Sequence, residues 1–192
     1  MQNGESGYIV AYERQHRIWS YHDVWSSPKP VTMGNVLSFL PFNSGIESLA
    51  LMAPGELLAI TESGSEGSGF VAFYKTEDGV TQVQYPYDRY FRPSDAVGIS
   101  ENSLLVLERG YNRKMGVAAR LVLAQLLRVD GKFKLTRDTL VNLDRPIPLD
   151  NFEGLAITSS PASPTTIYLL SDNNFNKDQR TLLMMFDLEI WR

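Results

Sequence analysis

The sequence predicts an all-β fold, a β-propeller with about three to four blades of four antiparallel strands, and three observations carry that expectation. One supersecondary unit recurs three times: Asn43–Gly64, Pro93–Gly110 and Asn151–Asn174 each place an acid before a small apolar strand, then a turn, then a second apolar strand ending in another acid. The spacing is the second observation. Glu47 and Asp95 lie 48 residues apart and Asp95 and Glu153 lie 58 apart, and periods of about 50 residues built from short strands belong to propeller blades rather than helical solenoids. The third is composition: 11% aromatic and 43% hydrophobic residues, with many Tyr, Phe and Thr, suit half-buried strands. A four-stranded blade cannot bury both faces alone, so it recurs in order to stack on its neighbours.

Residues 1–192 are read as a single propeller domain with repeats near 7–40, 43–86, 91–143 and 151–190. In the first repeat, Gly7–Glu13 is a strand ending in an acid and Ile18–Tyr21 a second one. The repeat looks like the latter part of a blade, so the domain is expected to be partial and to lack N-terminal blades. Pro28, Pro30 and Gly34 mark the exit, before the apolar Val36–Leu40. In the second repeat, Ala53-Pro54-Gly55-Glu56 is a hairpin turn, Gly64–Gly69 a flexible loop, and Glu77-Asp78-Gly79 joins the outer strands.

The third repeat turns at Ser100-Glu101-Asn102 and carries a loop over Asn112–Ala119, which lengthens its interval. Arg120–Val129 holds good helix formers, but Asp130-Gly131 follows and Lys132–Leu135 then alternates, so it is read as a strand. In the last repeat Thr165–Leu170 is a β-branched, buried strand that delivers Asp172 to its end, and Gln179–Leu188 supplies a long apolar strand.

Several function classes are excluded or disfavoured. The net charge is −4 without runs of like charge, which disfavours a nucleic-acid partner. No apolar run approaches the roughly 20 residues of a membrane span, and the absence of cysteine removes disulfide and thiol chemistry. Nucleophile elbows, phosphate-cradling glycine loops and histidine metal motifs are not found.

What recurs is the acids. In a propeller the inner strand ends converge at one mouth, so Glu47, Glu62, Asp95, Glu108, Glu153 and Asp172 are candidate ligands of a divalent cation, with Glu13 beside them. Clustered carboxylates repel unless a cation or base sits among them, and hard oxygen donors favour calcium or magnesium, calcium being the expected cofactor. Such an ion would attract and polarise a phosphate. Arg109 and Arg180, with Arg113, follow the acids and could clamp an anion, and His16 is the candidate proton donor. Glu13, Arg14, Arg17 and Asn173 complete the set as substrate-binding candidates. The alternative for every acid is structural: a carboxylate at a strand end also accepts hydrogen bonds from turn amides or pairs with an arginine.

Asn151-Phe152-Glu153-Gly154-Leu155, Ser171-Asp172-Asn173-Asn174-Phe175 and Gln179-Arg180-Thr181, preceded by Gly45-Ile46-Glu47-Ser48-Leu49-Ala50, Thr61-Glu62 and Glu13-Arg14-Gln15-His16-Arg17-Ile18, resemble the phytase-like family, the "esterase-like activity of phytase" domain. The resemblance spans nearly the whole chain. It implies a β-propeller, commonly exported to the periplasm or secreted, acting on small phosphorylated or ester substrates. Family domains are usually longer than this chain. A partial propeller exposes the faces of its end blades, so either further blades or self-association of two copies is expected. The alternative to a hydrolase is a non-catalytic propeller that binds a ligand or protein.

Overall fold

The computed structural model describes residues 7–112, 116–160 and 163–188. Over these the chain is all-β, with four antiparallel sheets and, as its one helical element, a short 3-10 turn at Val36–Phe39. No helix there is long and apolar enough to cross a membrane.

Each sheet is a meander in which consecutive strands pair. The first holds β1 (Tyr8–Tyr12), β2 (Arg17–Tyr21) and β3 (Lys29–Pro30). The second holds β4 (Ile46–Ala53), β5 (Glu56–Ser65), β6 (Gly69–Thr76) and β7 (Gly79–Tyr85). The third holds β8 (Phe91–Ser100), β9 (Ser103–Asn112), β10 (Gly116–Val129) and β11 (Lys132–Leu143), and the fourth β12 (Phe152–Ser160), β13 (Ser163–Ser171) and β14 (Leu183–Leu188).

The turns follow their residues. Asp130 (φ 50) and Gly131 (φ 77) both adopt left-handed conformations between β10 and β11, as a two-residue type I′ hairpin requires. The helix formers of Arg120–Val129 do form a strand, because β9 and β11 satisfy its backbone on both edges. Three details differ from the sequence reading. The Gly64–Gly69 loop is shorter than expected: β5 runs on to Ser65, and bare Gly64 lets the backbone of Phe70 close against it. The Asn112–Ala119 loop is a hairpin extension, with β9 and β10 paired to Asn112 and Gly116; residues 113–115 lie outside the described residues, as do 161–162 of the Ser159–Pro164 turn. Finally, the last strand is only Leu183–Leu188: just before it Leu182 meets the end of β13, its carbonyl accepting from the Ser171 N–H and its N–H donating to the Ser171 hydroxyl, while Gln179 bonds back to Asn174 in the loop.

The sheets stack face to face, and strand alternation shows how. On β9, Leu104 and Val106 join one core with Leu58, Ile60, Phe70, Tyr85 and Leu135, while Leu105 and Leu107 join another with Phe152, Leu155, Ile167 and Leu169. The third sheet is therefore buried on both faces, the second on its far face by Leu58 and Ile60 and on its near face by Ala59 and Phe73 against Ile18 and Met33. Burying one such Leu or Ile side chain contributes about 1.5–3 kcal/mol, so the three cores between sheets are the main source of stability.

The sheets meet most closely along their first strands, β4 on β8 and β8 on β12. The second strand of each sheet also reaches the first strand of the next: β5 touches β8, and β9 touches β12. β1 likewise touches β4, the first strand of the next sheet. At the crossing of β8 and β4, a Cβ on Gly98 would collide with the Leu51 carbonyl oxygen. Gly98→Ala is expected to lower stability by about 1–3 kcal/mol, read as a lower urea midpoint at unchanged slope.

Candidate functional site

At the ends of β4, β5, β8 and β9 lies a pocket of about 740 Å³, lined by Glu47, Glu62, Arg89, Tyr90, Arg92, Arg109, Tyr111 and Asn151 among others. Glu47 and Glu62 arrive from the second sheet, Arg92 and Arg109 from the third, Arg89 from the segment leading into β8, and Asp178 from the loop after β13. Arg92 on β8 and Arg109 on β9 are direct cross-strand partners, an arrangement of like charges that costs stability unless an anion or carboxylate lies between them. Arg109 is compensated by Glu153, 3.3 Å away, and by the Asn151 side-chain oxygen. Among the described residues neither Arg89 nor Arg92 has a carboxylate within 4.0 Å.

Glu47 is the acid with unusual chemistry. Burial, a hydrogen bond with Glu13, and the negative charges of Glu13 and Glu62 together push its pKa up to about 8, against the pull of Arg109. Glu47 thus carries a proton at neutral pH, bonded to Glu13 and within the influence of Arg109. Gly45 makes room for this: a side chain there would press on Glu13 Cγ at 3.1 Å and the His16 ring at 3.3 Å.

The remaining candidates separate into different places. His16, Arg14 and Arg17 line a second, open hollow of about 570 Å³ with Leu37 and Phe42. There His16 Nε2 donates to the Pro41 carbonyl at 2.9 Å, and Arg17 stacks on Tyr12 and Trp19. Asp95 is held by backbone amides: Ala96 donates to Oδ1 at 2.8 Å and Leu155, from the next sheet, to Oδ2 at 2.7 Å. Its burial outweighs those amides and raises its pKa to about 6. Glu153 is engaged by Arg109 and by the Asn151 amide at 2.6 Å. Asp172 and Asn173 cap the loop after β13 by accepting from the backbone N–H groups of Asn174 and Phe175. Arg180 pairs with Asp150 at 3.2 Å. Arg113 lies outside the described residues.

Glu108 is fully buried. It accepts from Tyr85 at 2.7 Å and pairs with Arg120 and Arg137, which also reach Asp88. With its oxygens so occupied, Glu108 is a structural anchor between the second and third sheets. The six carboxylates expected to share calcium therefore do not converge as one donor set. Among the described residues no group of three or more His, Asp or Glu side chains is placed to hold a metal ion.

Arg89, Tyr90, Arg92 and Tyr111 line the pocket without being among the candidates drawn from the sequence, whereas Asn151 opens the Asn151–Leu155 motif. For Arg89, Tyr90 and Arg92 the signal was present in Asp88-Arg89-Tyr90-Phe91-Arg92, a cationic and aromatic run leading from the crossover into β8. Across from it, the loop after β13 contributes Asn174, Asn176 and Gln179 to the pocket.

Among curated proteins, none matches the chain's sequence. Over residues 1–175 the chain matches the phytase-like family, described as Esterase-like activity of phytase, and it belongs to that family.

Proposed function

We propose that the protein is a hydrolase of anionic phosphoesters or esters, working from the pocket between the second and third sheets. The observation that carries this reading is that a proton-bearing carboxyl, Glu47, lines the same cavity as the guanidinium groups of Arg89, Arg92 and Arg109. The arginines bind and orient the anionic group through charge-assisted hydrogen bonds. Water attacks phosphorus or the acyl carbon, the bond to the leaving oxygen breaks, and Glu47 gives that oxygen its proton. The attacking water's proton then passes to the carboxylate left on Glu47, with Glu13 and Glu62 beside it.

The same reading takes the four sheets as consecutive blades of a propeller, supported by the first-strand contacts and by the three cores between sheets. Closing the ring needs strands beyond those described, from further chain or from a second copy.

The test is turnover of a phosphomonoester and of a carboxylic ester between pH 5 and 9, with added calcium and with chelator. We expect turnover that persists in chelator and falls as pH rises through about 8, and a loss of roughly 10²-fold in Arg109→Gln. Activity abolished by chelator would move the chemistry to a bound cation, and no turnover of either substrate would overturn the reading.

A further inference from the structure

We infer that the molecule this pocket takes carries a flat, unsaturated ring next to its anionic group: an aryl phosphate or aryl ester rather than an aliphatic one. The inference rests on the pocket proposed above and names its substrate class. Tyr90 and Tyr111 both line the cavity, yet remain 57% and 72% exposed. The Arg89 guanidinium lies 5.7 Å from the Tyr90 ring centroid, and both rings keep accessible surface that a planar ligand group could cover.

Their placement follows from the β8–β9 ladder. Phe91 pairs with Gly110 at the end of the ladder, so Tyr90, in the segment just before β8, and Tyr111, on β9, both lie next to that pair. The approach depends on Gly110, since a Cβ there would stand 2.5 Å from the Tyr90 carbonyl oxygen. β10 backs the arrangement by pairing Val117 with Tyr111, and Val117 lines the same wall. Arg92 and Arg109 form the cross-strand pair on the other side of Phe91 and Gly110, two residues from Tyr90 and Tyr111. The ladder thus presents two cations and, next to them, two aromatic faces.

That order of groups reads as a ligand with a charged end and a planar apolar body. Inorganic phosphate alone would leave the tyrosines exposed, and the cavity of about 740 Å³ has room for much more than a phosphate group. An aliphatic ester would meet the arginines but gain little from the rings, whereas an aryl group stacks on them.

The test uses non-hydrolysable probes, so that binding is read separately from turnover. Calorimetric titration with phenylphosphonate and methylphosphonate is expected to show the phenyl compound binding about tenfold more tightly. Tyr111→Ala should erase that preference while leaving methylphosphonate affinity within about twofold, and Tyr111→Phe, which keeps the ring, should retain it. Both variants change an exposed side chain, and an unaltered urea midpoint checks that they fold. Equal affinity for the two probes, or no binding of either, overturns the inference. Discrimination that survives Tyr111→Ala and the parallel Tyr90→Ala overturns it as well. A protein that binds phenylphosphonate selectively but hydrolyses nothing would refute the hydrolase reading and leave this one standing.

Discussion

Arg120→Leu is expected to lower the stability of the protein by roughly 3–5 kcal/mol, the cost of stripping a buried charge of its main partner. Glu108 has no exposed surface, and Arg120 contacts its Oε2 through both Nε and Nη2, at 2.6 and 2.5 Å. Burial by itself would lower the pKa of Arg120, but Glu108 and Asp88 outweigh it and raise it, so the guanidinium stays charged. With leucine in its place, Arg137, at 3.3 Å, and the Tyr85 hydroxyl are the partners that remain to the carboxylate among the described residues. Asp88 also loses its closer guanidinium, at 2.8 Å.

The control is the double variant Arg120→Leu, Glu108→Gln. A neutral amide removes the stranded charge while still accepting from Tyr85, so more than half of the lost stability is expected to return. Urea denaturation of the wild type and both variants measures this. A single variant within about 0.5 kcal/mol of wild type would show that the network contributes nothing net. Failure of the double variant to recover would mean that the loss comes from packing against Phe91, over whose ring Arg120 lies at 4.0 Å.

The fold was legible because local signals agreed with one another. The apolar strands, the Asp130-Gly131 hairpin and the Pro54-Gly55 turn each act over a few residues and point to the same meander. The site was only partly legible, since the repeat makes unlike acids look alike. Glu62 and Glu108 close equivalent second strands with similar sequences, yet one lines the pocket and the other is sealed in the core. What separates them is Arg120, placed opposite Glu108 by the β9–β10 register, and Arg137 from β11. Neither residue belongs to the repeated pattern. Asp95 is similar: its partner amide, Leu155, lies 60 residues further along the chain. Arg180 followed an acid in sequence but reaches back to Asp150, while Arg89 enters the pocket from the crossover before β8 and Arg92 from the start of β8, neither marked by a repeat motif. Periodicity shows which positions are equivalent in the backbone; long-range partners decide which of them keep free chemistry.

Glu47→Gln separates the chemical role of the site from its structural cost. Glutamine keeps the size and a hydrogen bond to Glu13 but has no proton to transfer, so a loss of about 10²–10⁴-fold in kcat is expected. Stability should change the other way at alkaline pH. The folded-state pKa of Glu47 is raised to about 8 from an ordinary 4.5, so between those values the folded protein holds a proton that the unfolded chain has released. The stability associated with that proton is fully present below about pH 4.5 and is lost as pH rises through about 8. The wild type is therefore expected to weaken over that window, and Glu47→Gln to remove most of the slope, being more stable relative to wild type at pH 9 than at pH 5. A smaller slope should survive in the variant, because Asp95 is raised in the same direction, from 3.8 to about 6, and acts over a lower window. Urea midpoints at pH 5, 7 and 9 read the stability, and kcat against pH reads the chemistry. A variant with full activity and an unchanged slope would show that Glu47 is an ordinary carboxylate, leaving the pocket with arginines and no acid. If the slope disappears while activity persists, the proton is real but some other group does the transfer.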